Sequence, residues 1–318
     1  MEHKRYFANR RREDTMELKE IYKIMREILS EDEIKLNEPM REHTSFRIGG
    51  PADVMVLPRN SEQVKNIVKL CKKHEIPFFV MGNGTNLLVR DEGIRGVVIK
   101  LAQNFNDALV HNNIMKCKAG MPLSMAAKIA LDNSLSGLEF AHGIPGTIGG
   151  AAVMNAGAYD GEMADVVRKV KVLDLDGNVF ELAKSQLEYG YRSCNLQKGD
   201  KILLEVELEL KPGNYDDIKR KMEDFSQRRK DKQPLNLPSA GSAFKRPPGN
   251  YAGALIEQAG LKGYRIGGAM VSDKHAGFIV NAGNASFEDV MNLILHVQKQ
   301  VKEKFDVELE SEIKIFGD

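Results

Sequence analysis

GLEFAHGIPGTIGGAAVMNAGAYDG, residues 137–161, holds seven glycines among 25 residues, together with several alanines and few charges. Glycine adopts backbone angles that other residues avoid, and it lets peptide N–H groups approach a ligand closely. Successive N–H groups of this kind form a concave site for an anion such as a diphosphate. A tight buried turn between two domains would have the same composition. The segment alone does not separate these two interpretations.

Length, charge and cysteine content narrow the class of protein. With 318 residues the chain is long enough for about two domains. Its 46 basic and 45 acidic residues leave a net charge of +1, which argues against a nucleic-acid binder. The three cysteines form no CxxC pair, and no apolar run reaches the roughly 20 residues of a membrane span. We therefore expect a cytoplasmic protein with no metal site, no nucleic-acid partner and no membrane insertion.

A second glycine-rich turn lies upstream of the first segment. The apolar run PFFVM, residues 77–81, predicts a short buried strand, and GNGTN, residues 82–86, follows it directly. This turn matches neither GxGxxG nor GxxxxGK(S/T), and the apolar residues after it predict another strand, not a helix. We therefore set aside the Rossmann and P-loop nucleotide sites. A plain turn and a phosphate-binding turn both remain open for GNGTN.

Periodicity outlines the rest of the chain. Residues 1–35 predict a basic arm followed by an amphipathic helix. Asp-Gly at 176–177, between two apolar runs, predicts a β-hairpin, and Pro-Gly-Asn at 212–214 predicts a domain boundary. The helix that follows carries a basic face over residues 219–232, which is most often solvated. Alternating apolar and acidic residues over 307–316 predict a C-terminal strand.

Seven motifs follow one another between residues 43 and 317: HTSFRIGGPAD, GNGTNLLVRDEG, GLEFAHGIPGTIGGAAVMNAGAYDGEM, YGYRSCN, AGSAFKRP, KGYRIGGAMVSDKHAGFIVN and ELESEIKIFG. In these motifs and their order the chain resembles the UDP-N-acetylenolpyruvoylglucosamine reductase family. The resemblance covers nearly everything except the N-terminal arm and helix. Seven ordered motifs are far more specific than any one of them.

The resemblance implies an α+β protein. Its FAD-binding fold would be of the vanillyl-alcohol-oxidase (PCMH) type in two subdomains, with a C-terminal α+β substrate-binding domain. We accordingly divide the chain into an N-terminal arm and helix (1–35), two FAD-binding subdomains (36–101 and 102–211), a substrate-binding domain (212–305) and a C-terminal strand that returns to the active site (306–318).

The resemblance also implies the reaction and the ligands. The expected reaction reduces UDP-N-acetylglucosamine enolpyruvate to UDP-N-acetylmuramate, for peptidoglycan precursor synthesis. The expected ligands are non-covalently bound FAD, NADPH as co-substrate and the UDP-sugar, in a monomeric enzyme. Both glycine-rich segments would then hold the FAD diphosphate. The predicted cofactor-binding residues are Gly82, Asn83, Gly84, Thr85, Asn86, Gly143, Pro145, Gly146, Thr147, Gly149, Gly150, Asn155 and Gly157.

Three residues match the catalytic residues of the family. Arg192 matches an arginine whose planar guanidinium would grip the substrate carboxylate with two hydrogen bonds. Ser242 matches the proton donor; a hydroxyl is a poor acid, so its acceptor must be as basic as an enolate. Glu312 matches a glutamate that would polarise the substrate or relay a proton. Strand alternation places Glu308, Glu310 and Glu312 on one face, so periodicity does not distinguish Glu312 from the other two.

Substrate contacts are predicted at Tyr191, Lys232, Arg246 and His275. One type of the family closes on the substrate diphosphate with an extra tyrosine-bearing loop. This chain has no room for that loop and so resembles the shorter type. We expect the basic helix face over residues 219–232 to meet the diphosphate instead.

Two alternative functions remain at this stage. The chain could be another flavin-dependent oxidase or dehydrogenase of the same fold, and His142 lies close enough to the glycine-rich segment to attach a flavin covalently. It could also be a non-enzymatic nucleotide-binding module, tethered by its basic arm. Release of flavin on denaturation would argue against covalent attachment, and turnover of the enolpyruvyl substrate by NADPH would separate the reductase from the first alternative. A protein that stays colourless with FAD would favour the second.

Overall fold

The computed structural model describes residues 16–317. The predicted arm at the start of the chain lies outside the described residues, whereas the predicted amphipathic helix is present. Within residues 16–317 the α-helices are α1 (Leu18–Arg26), α2 (Ser61–Lys73), α3 (Leu123–Asp132), α4 (Ile148–Met154), α5 (Met163–Val166), α6 (Tyr215–Lys232), α7 (Ala252–Gln258) and α8 (Phe287–Phe305).

Strands outnumber helices over the same part of the chain. They are β1 (Ile34–Pro39), β2 (Pro51–Val56), β3 (Phe78–Met81), β4 (Leu87–Val89), β5 (Ile94–Lys100), β6 (Ala108–His111), β7 (Ile114–Lys118), β8 (Leu135–Ser136), β9 (Gly157–Ala158), β10 (Gly161–Glu162), β11 (Val167–Asp174), β12 (Val179–Ala183), β13 (Lys201–Glu209), β14 (Lys211–Pro212), β15 (Ser239–Ser242), β16 (Arg265–Ile266), β17 (Ala269–Val271), β18 (Phe278–Asn281) and β19 (Lys314–Phe316).

The first sheet has the strand order β1-β2-β5-β3. Strand β5 pairs in parallel with both β2 and β3, and β1 adds an antiparallel edge. Helix α2 connects β2 to β3, as a crossover between parallel strands requires. Its apolar face, marked by Val64, Ile67 and Val68, is fully buried. The GNGTN turn leaves the end of β3 and leads into a strand, as predicted.

The second sheet is antiparallel, with the order β12-β11-β13-β7-β6. Strands β11 and β12 form the predicted hairpin, with Leu173 opposite Val179. Gly177 in the connecting turn has φ of 86°, a conformation that favours glycine. The glycine-rich segment contributes α4, which packs against β13 and β7 of this sheet.

The third sheet, β15-β18-β17-β16, is also antiparallel and carries α8 against β17 and β16. The predicted strand over 307–316 is much shorter in the structure, because the segment crosses between two partners. Glu310 O accepts a hydrogen bond from Lys245 N (2.8 Å), and Glu312 N donates to Ala243 O (2.9 Å). Only β19, which follows, pairs continuously, in parallel with β4.

Two main hydrophobic clusters form the cores. The first runs from Ile21 to Met222 and joins the first two sheets in one core. The second covers the third sheet with α7 and α8, and it includes Phe46, Ile48 and Leu88 from the first half of the chain. Helix α6 packs on the first cluster, although the sequence boundary at 212–214 precedes it.

Candidate active site

A cavity of about 1270 Å³ is lined by residues from both halves of the chain. All predicted cofactor-binding residues except Asn155 line it. Arg192, Ser242 and Glu312 line the same cavity, as do Tyr191, Arg246 and His275. Residues that are up to 230 positions apart in sequence therefore face one space.

The two glycine-rich loops touch each other at one side of the cavity. The Thr85 hydroxyl donates a hydrogen bond to the Pro145 carbonyl over 3.3 Å. A Cβ placed on Gly82 would lie 2.3 Å from Thr147 Oγ1, so only glycine fits at that position. Gly146 has φ of 127°, and a Cβ there would be 3.0 Å from Thr85 Oγ1. Glycine is therefore required where the two loops pass closest.

Several backbone N–H groups of these loops are left for a ligand. The amides of Asn83, Gly84, Thr85 and Gly146 have no hydrogen-bond acceptor within residues 16–317. The amide of Gly149, in contrast, donates to Ala119 O at 2.9 Å. A row of such unpaired donors suits the oxygens of a diphosphate. The residues present therefore fit the diphosphate of FAD.

Arg192 is held by three hydrogen bonds at the cavity wall. Its Nε donates to Glu312 Oε1 (3.1 Å), Nη1 to Asn155 O (3.3 Å) and Nη2 to Gly157 O (2.9 Å). A guanidinium has five N–H groups, so two remain for another partner. Arg192 itself adopts φ of 52°, a left-handed conformation that is uncommon for a non-glycine residue.

Glu312 is buried beside this guanidinium, with 17% of its side chain exposed. Burial raises the pKa of the Glu312 carboxyl above its usual range, although the Arg192 charge acts in the opposite direction. Two backbone hydrogen bonds fix the position of Glu312: its N–H donates to Ala243 O over 2.9 Å, and its carbonyl accepts from Asn86 Nδ2 over 3.1 Å. Glu312 thus links the GNGTN loop to the third sheet.

Ser242 ends β15, next to the residue that binds the Glu312 backbone amide. It is exposed into the cavity, and Gly241 before it has φ of 80°. Ser242 lines the same cavity as the Arg192–Glu312 pair. The structure therefore brings together the three residues predicted to be catalytic.

Among the predicted substrate contacts, three line the cavity. The Tyr191 hydroxyl accepts a hydrogen bond from Arg246 N over 3.3 Å, across the two halves of the chain. The Arg246 guanidinium lies 4.0 Å from the centre of the Tyr251 ring. His275 lies further along the wall; burial lowers the pKa of its imidazole, and its Nδ1 accepts from Gly277 N.

Asn155 and Lys232 do not line the cavity. The Asn155 side chain is fully buried, and its Nδ2 donates to Gly190 O over 2.9 Å. It thereby supports the loop that carries Arg192. Lys232 is exposed at the end of α6 and adds positive charge that lowers the pKa of His275. Asn155 remains a predicted cofactor-binding residue and Lys232 a predicted substrate-binding residue, although neither lines the cavity.

Sequence reasoning missed Arg229 as a separate residue of the site. It is 7% exposed, lines the cavity, and donates from Nη1 to Gly143 O over 3.0 Å. The sequence does contain a signal, since Arg229 continues the spacing of Ile218, Met222 and Phe225 along the buried face of α6. Its neighbours on the basic face are exposed, so only this arginine reaches the cavity.

Lys314 was also missed. It lines the cavity two residues after Glu312, and burial is the main cause that lowers the pKa of its amine. A buried cation at this position adds to the positive field around the acidic side chain. The sequence does contain a signal, because residues two apart lie on the same face of a strand and Lys314 follows Glu312 by two.

His142 does not line the cavity, which disfavours a covalent flavin link through it. Its Nδ1 is buried without a hydrogen-bond partner within the described residues. Over residues 16–317 no cluster of histidine, cysteine and carboxylate side chains is arranged to hold a metal ion. In the same range no helix has the length and apolar character to cross a membrane.

Fold and site together define an FAD-binding oxidoreductase with a separate substrate-binding part. Family models support both parts: "FAD binding domain" matches residues 52–183, and "UDP-N-acetylenolpyruvoylglucosamine reductase, C-terminal domain" matches residues 233–316. The chain belongs to the UDP-N-acetylenolpyruvoylglucosamine reductase family. Proteins of that name from Caldanaerobacter subterraneus and Clostridioides difficile are 56% and 52% identical to it, over 92% and 95% of this chain and 97% and 100% of theirs.

Solved structures agree with this assignment. The crystal structure of the UDP-N-acetylenolpyruvylglucosamine reductase from Thermus caldophilus matches with a TM-score of 0.76 and 39% identity, over 89% of this chain and 98% of that one. An alkyldihydroxyacetonephosphate synthase matches 66% of this chain and 44% of its own, with a TM-score of 0.50 and 15% identity, and so shares the fold alone. The predicted family and fold class are confirmed.

Proposed function

We propose that this chain reduces UDP-N-acetylglucosamine enolpyruvate to UDP-N-acetylmuramate with NADPH, in peptidoglycan precursor synthesis. One observation carries the proposal: Arg192, Ser242 and Glu312 line the same cavity as the two glycine-rich loops. The relatives named above carry the same activity in their names, at more than half identity over almost the whole chain.

The two loops would hold FAD through its diphosphate. The unpaired amides of Asn83, Gly84, Thr85 and Gly146 supply hydrogen bonds, and the buried Arg229 supplies positive charge at Gly143. When bound, FAD supplies the hydride for the reduction and is itself recharged by NADPH. The attachment is non-covalent in this proposal, since His142 lies off the cavity and the three cysteines are buried.

Arg192 would bind the carboxylate of the enolpyruvyl group. Two of its N–H groups are left after its bonds to Glu312 and to the carbonyls of Asn155 and Gly157. Negative charge grows on the substrate carboxylate as the double bond is reduced. A guanidinium already fixed by three bonds stabilises that charge without reorganising, which is how electrostatic preorganisation lowers a barrier.

Ser242 would donate a proton to the carbon next to the carboxylate. Ser242 lines the cavity from the end of β15, and the next residue, Ala243, accepts a hydrogen bond from the Glu312 backbone amide. Because a hydroxyl is a weak acid, the transfer requires an acceptor of enolate character. Glu312, with its raised pKa, is suited to return a proton to the site from the buried side.

Tyr191, Arg246 and His275 would contact the rest of the substrate. They lie on the cavity wall, whereas Lys232 would act through its charge from the end of α6. The substrate diphosphate would bind near Arg246 and Lys274, because both of these cationic residues line the cavity.

The domain division also remains a proposal. The first two sheets would form the FAD-binding part, over 36–101 and 102–211, and residues 306–318 would return to it. We propose to group α6 with this part, because its buried residues belong to the first core and the family model of the C-terminal domain begins at residue 233. We further propose a cytoplasmic monomer that works on free NADPH and UDP-sugar.

A spectrum tests the function. The purified protein should be yellow and release FAD on denaturation; under anaerobic conditions NADPH should bleach the flavin and the enolpyruvyl substrate should restore its colour. A protein that stays colourless when given FAD would exclude the proposal. So would a flavin that NADPH bleaches but the enolpyruvyl substrate does not reoxidise.

A further inference from the structure

Three titratable side chains form a hydrogen-bonded chain behind the GNGTN loop. His43 Nε2 lies 2.7 Å from Glu38 Oε1, and Lys100 Nζ lies 2.8 Å from His43 Nδ1. The chain is half-buried, with only 10% of the His43 side chain exposed. None of the three lines the cavity, so the reaction proposed above does not use them.

The two contacts require one protonation state of His43. An ammonium group has only donors, so Nδ1 must accept the Lys100 bond with its lone pair. The imidazole proton then lies on Nε2 and is donated to the Glu38 carboxylate. A doubly protonated His43 has no acceptor, and its charge would repel Lys100 at hydrogen-bond distance. The arrangement is therefore stable only with neutral His43.

The same residues support the loop that binds the cofactor. The His43 carbonyl lies against Gly84, where an added Cβ would approach within 2.0 Å. Two residues further on, Ser45 N donates to Gly84 O over 3.1 Å. On the other side Lys100 ends β5, and the next amide, Leu101 N, donates to Met81 O just before the loop. His43 and Lys100 thus lie next to the GNGTN loop on two sides.

Charges from two strands act on His43. Burial is the main cause that lowers its pKa, and Lys100 of β5 and Lys35 of β1 lower it further, while Glu38 of β1 raises it. Burial also lowers the pKa of Lys100. The net effect lowers the pKa of His43, which favours the neutral imidazole that the two contacts require.

We propose that Glu38, His43 and Lys100 are positioning residues that hold the GNGTN loop in its cofactor-binding shape, and that protonation of His43 loosens the bound FAD. The three residues touch neither substrate nor flavin. This inference rests on the flavin-binding half of the proposed function and not on its substrate.

The test measures the FAD dissociation constant of the holoenzyme from pH 5 to 8, from the fluorescence of FAD released on dilution. If only the form with neutral His43 binds, the constant rises about tenfold for each pH unit below the His43 pKa. His43→Gln offers a neutral acceptor to Lys100 and a donor to Glu38. We expect it to bind within about threefold of the wild type at pH 7.5 and to lose the pH dependence.

Lys100→Met removes the ammonium group that protonated His43 would repel, so the pH dependence of FAD binding should flatten, a change that a merely structural role would not produce. The matched control is His111→Gln, an exposed histidine at the end of β6, which should keep the wild-type profile. Far-UV circular dichroism at each pH confirms that the variants are folded.

Two results would overturn the proposal. One is a folded His43→Gln protein that keeps the wild-type pH dependence of FAD binding. The other is a folded Lys100→Met protein that keeps the wild-type pH dependence of FAD binding. Should His43→Gln fail to fold, the Lys100→Met profile decides alone. Both readouts are independent of the enolpyruvyl substrate, so a protein that fails the activity test is still informative here.

Discussion

Replacement of Gly82 by alanine tests whether contact between the two glycine-rich loops shapes the cofactor site. Gly82 has no positive φ, so space alone opposes the alanine. The new methyl carbon would lie 2.3 Å from Thr147 Oγ1, about 1.1 Å inside the 3.4 Å at which such contacts become ordinary. Thr147 is buried and caps α4 through Gly150 N, so it does not turn away freely. The loops must separate by up to about 1 Å.

The expected costs follow from this displacement. Overpacking of this kind destabilises a protein by about 1–3 kcal/mol. A misplacement of about 1 Å weakens a preorganised site by roughly 10²-fold, and we expect the FAD dissociation constant to rise by that factor. Thr147→Ala in the same chain removes the two nearest atoms, Oγ1 at 2.3 Å and Cγ2 at 3.0 Å, leaves Cβ at 3.2 Å, and loses the cap, worth about 1 kcal/mol. The double variant should therefore bind FAD within about tenfold of the wild type.

The assay is FAD release on dilution, with thermal unfolding as the measure of stability. Gly213→Ala is the matched control, because the nearest atom to its new methyl is the terminal Ile218 Cδ1 at 3.1 Å, away from the cavity. The reasoning is refuted if Gly82→Ala binds FAD like the wild type. It is equally refuted if the two substitutions are additive, since direct contact requires a coupling between them.

Three further predictions concern the catalytic residues. Arg192→Lys should slow reoxidation of the flavin by the substrate about 10²–10³-fold, because an ammonium cannot keep the bonds to Glu312, Asn155 O and Gly157 O together; stopped-flow absorbance should show flavin reduction by NADPH within about threefold. Ser242→Ala should lose about 10²–10⁴-fold in the same reoxidation step; equal loss in both half-reactions would contradict a dedicated proton donor. The raised pKa of Glu312 stabilises the fold below pH 4.5, and this contribution is lost as pH rises through the folded-state value; melting temperatures of the wild type and Glu312→Gln from pH 4.5 to 7.5 should differ with that pH trend, and parallel curves would contradict it.

Local patterns alone predicted many of the elements. The Asp-Gly turn at 176–177 forms its hairpin because its short-range geometry depends only on those residues and the flanking strands. The strand predicted over 307–316 was too long, because its partners are residues 243–245 and β4, which periodicity does not reveal. Arg229 had the spacing of a buried residue, but its charge indicated a solvated helix face. Its hydrogen bond to Gly143 O, which joins α6 to the glycine-rich segment, is visible only in the structure.

By itself the sequence determined the family, the fold class and the residue types of the site, because seven motifs in the same order are far more specific than any single motif. Strand alternation did not determine which of three glutamates belongs to the site, and Glu312 was assigned only through the family resemblance. In the structure the side chains of Glu308 and Glu310 are 85% and 60% exposed, whereas that of Glu312 is 17% exposed. Only the tertiary structure decided this difference in burial, because Glu312 meets Ala243, Asn86 and Arg192, which are distant in sequence and come together only when the two cores close on one cavity.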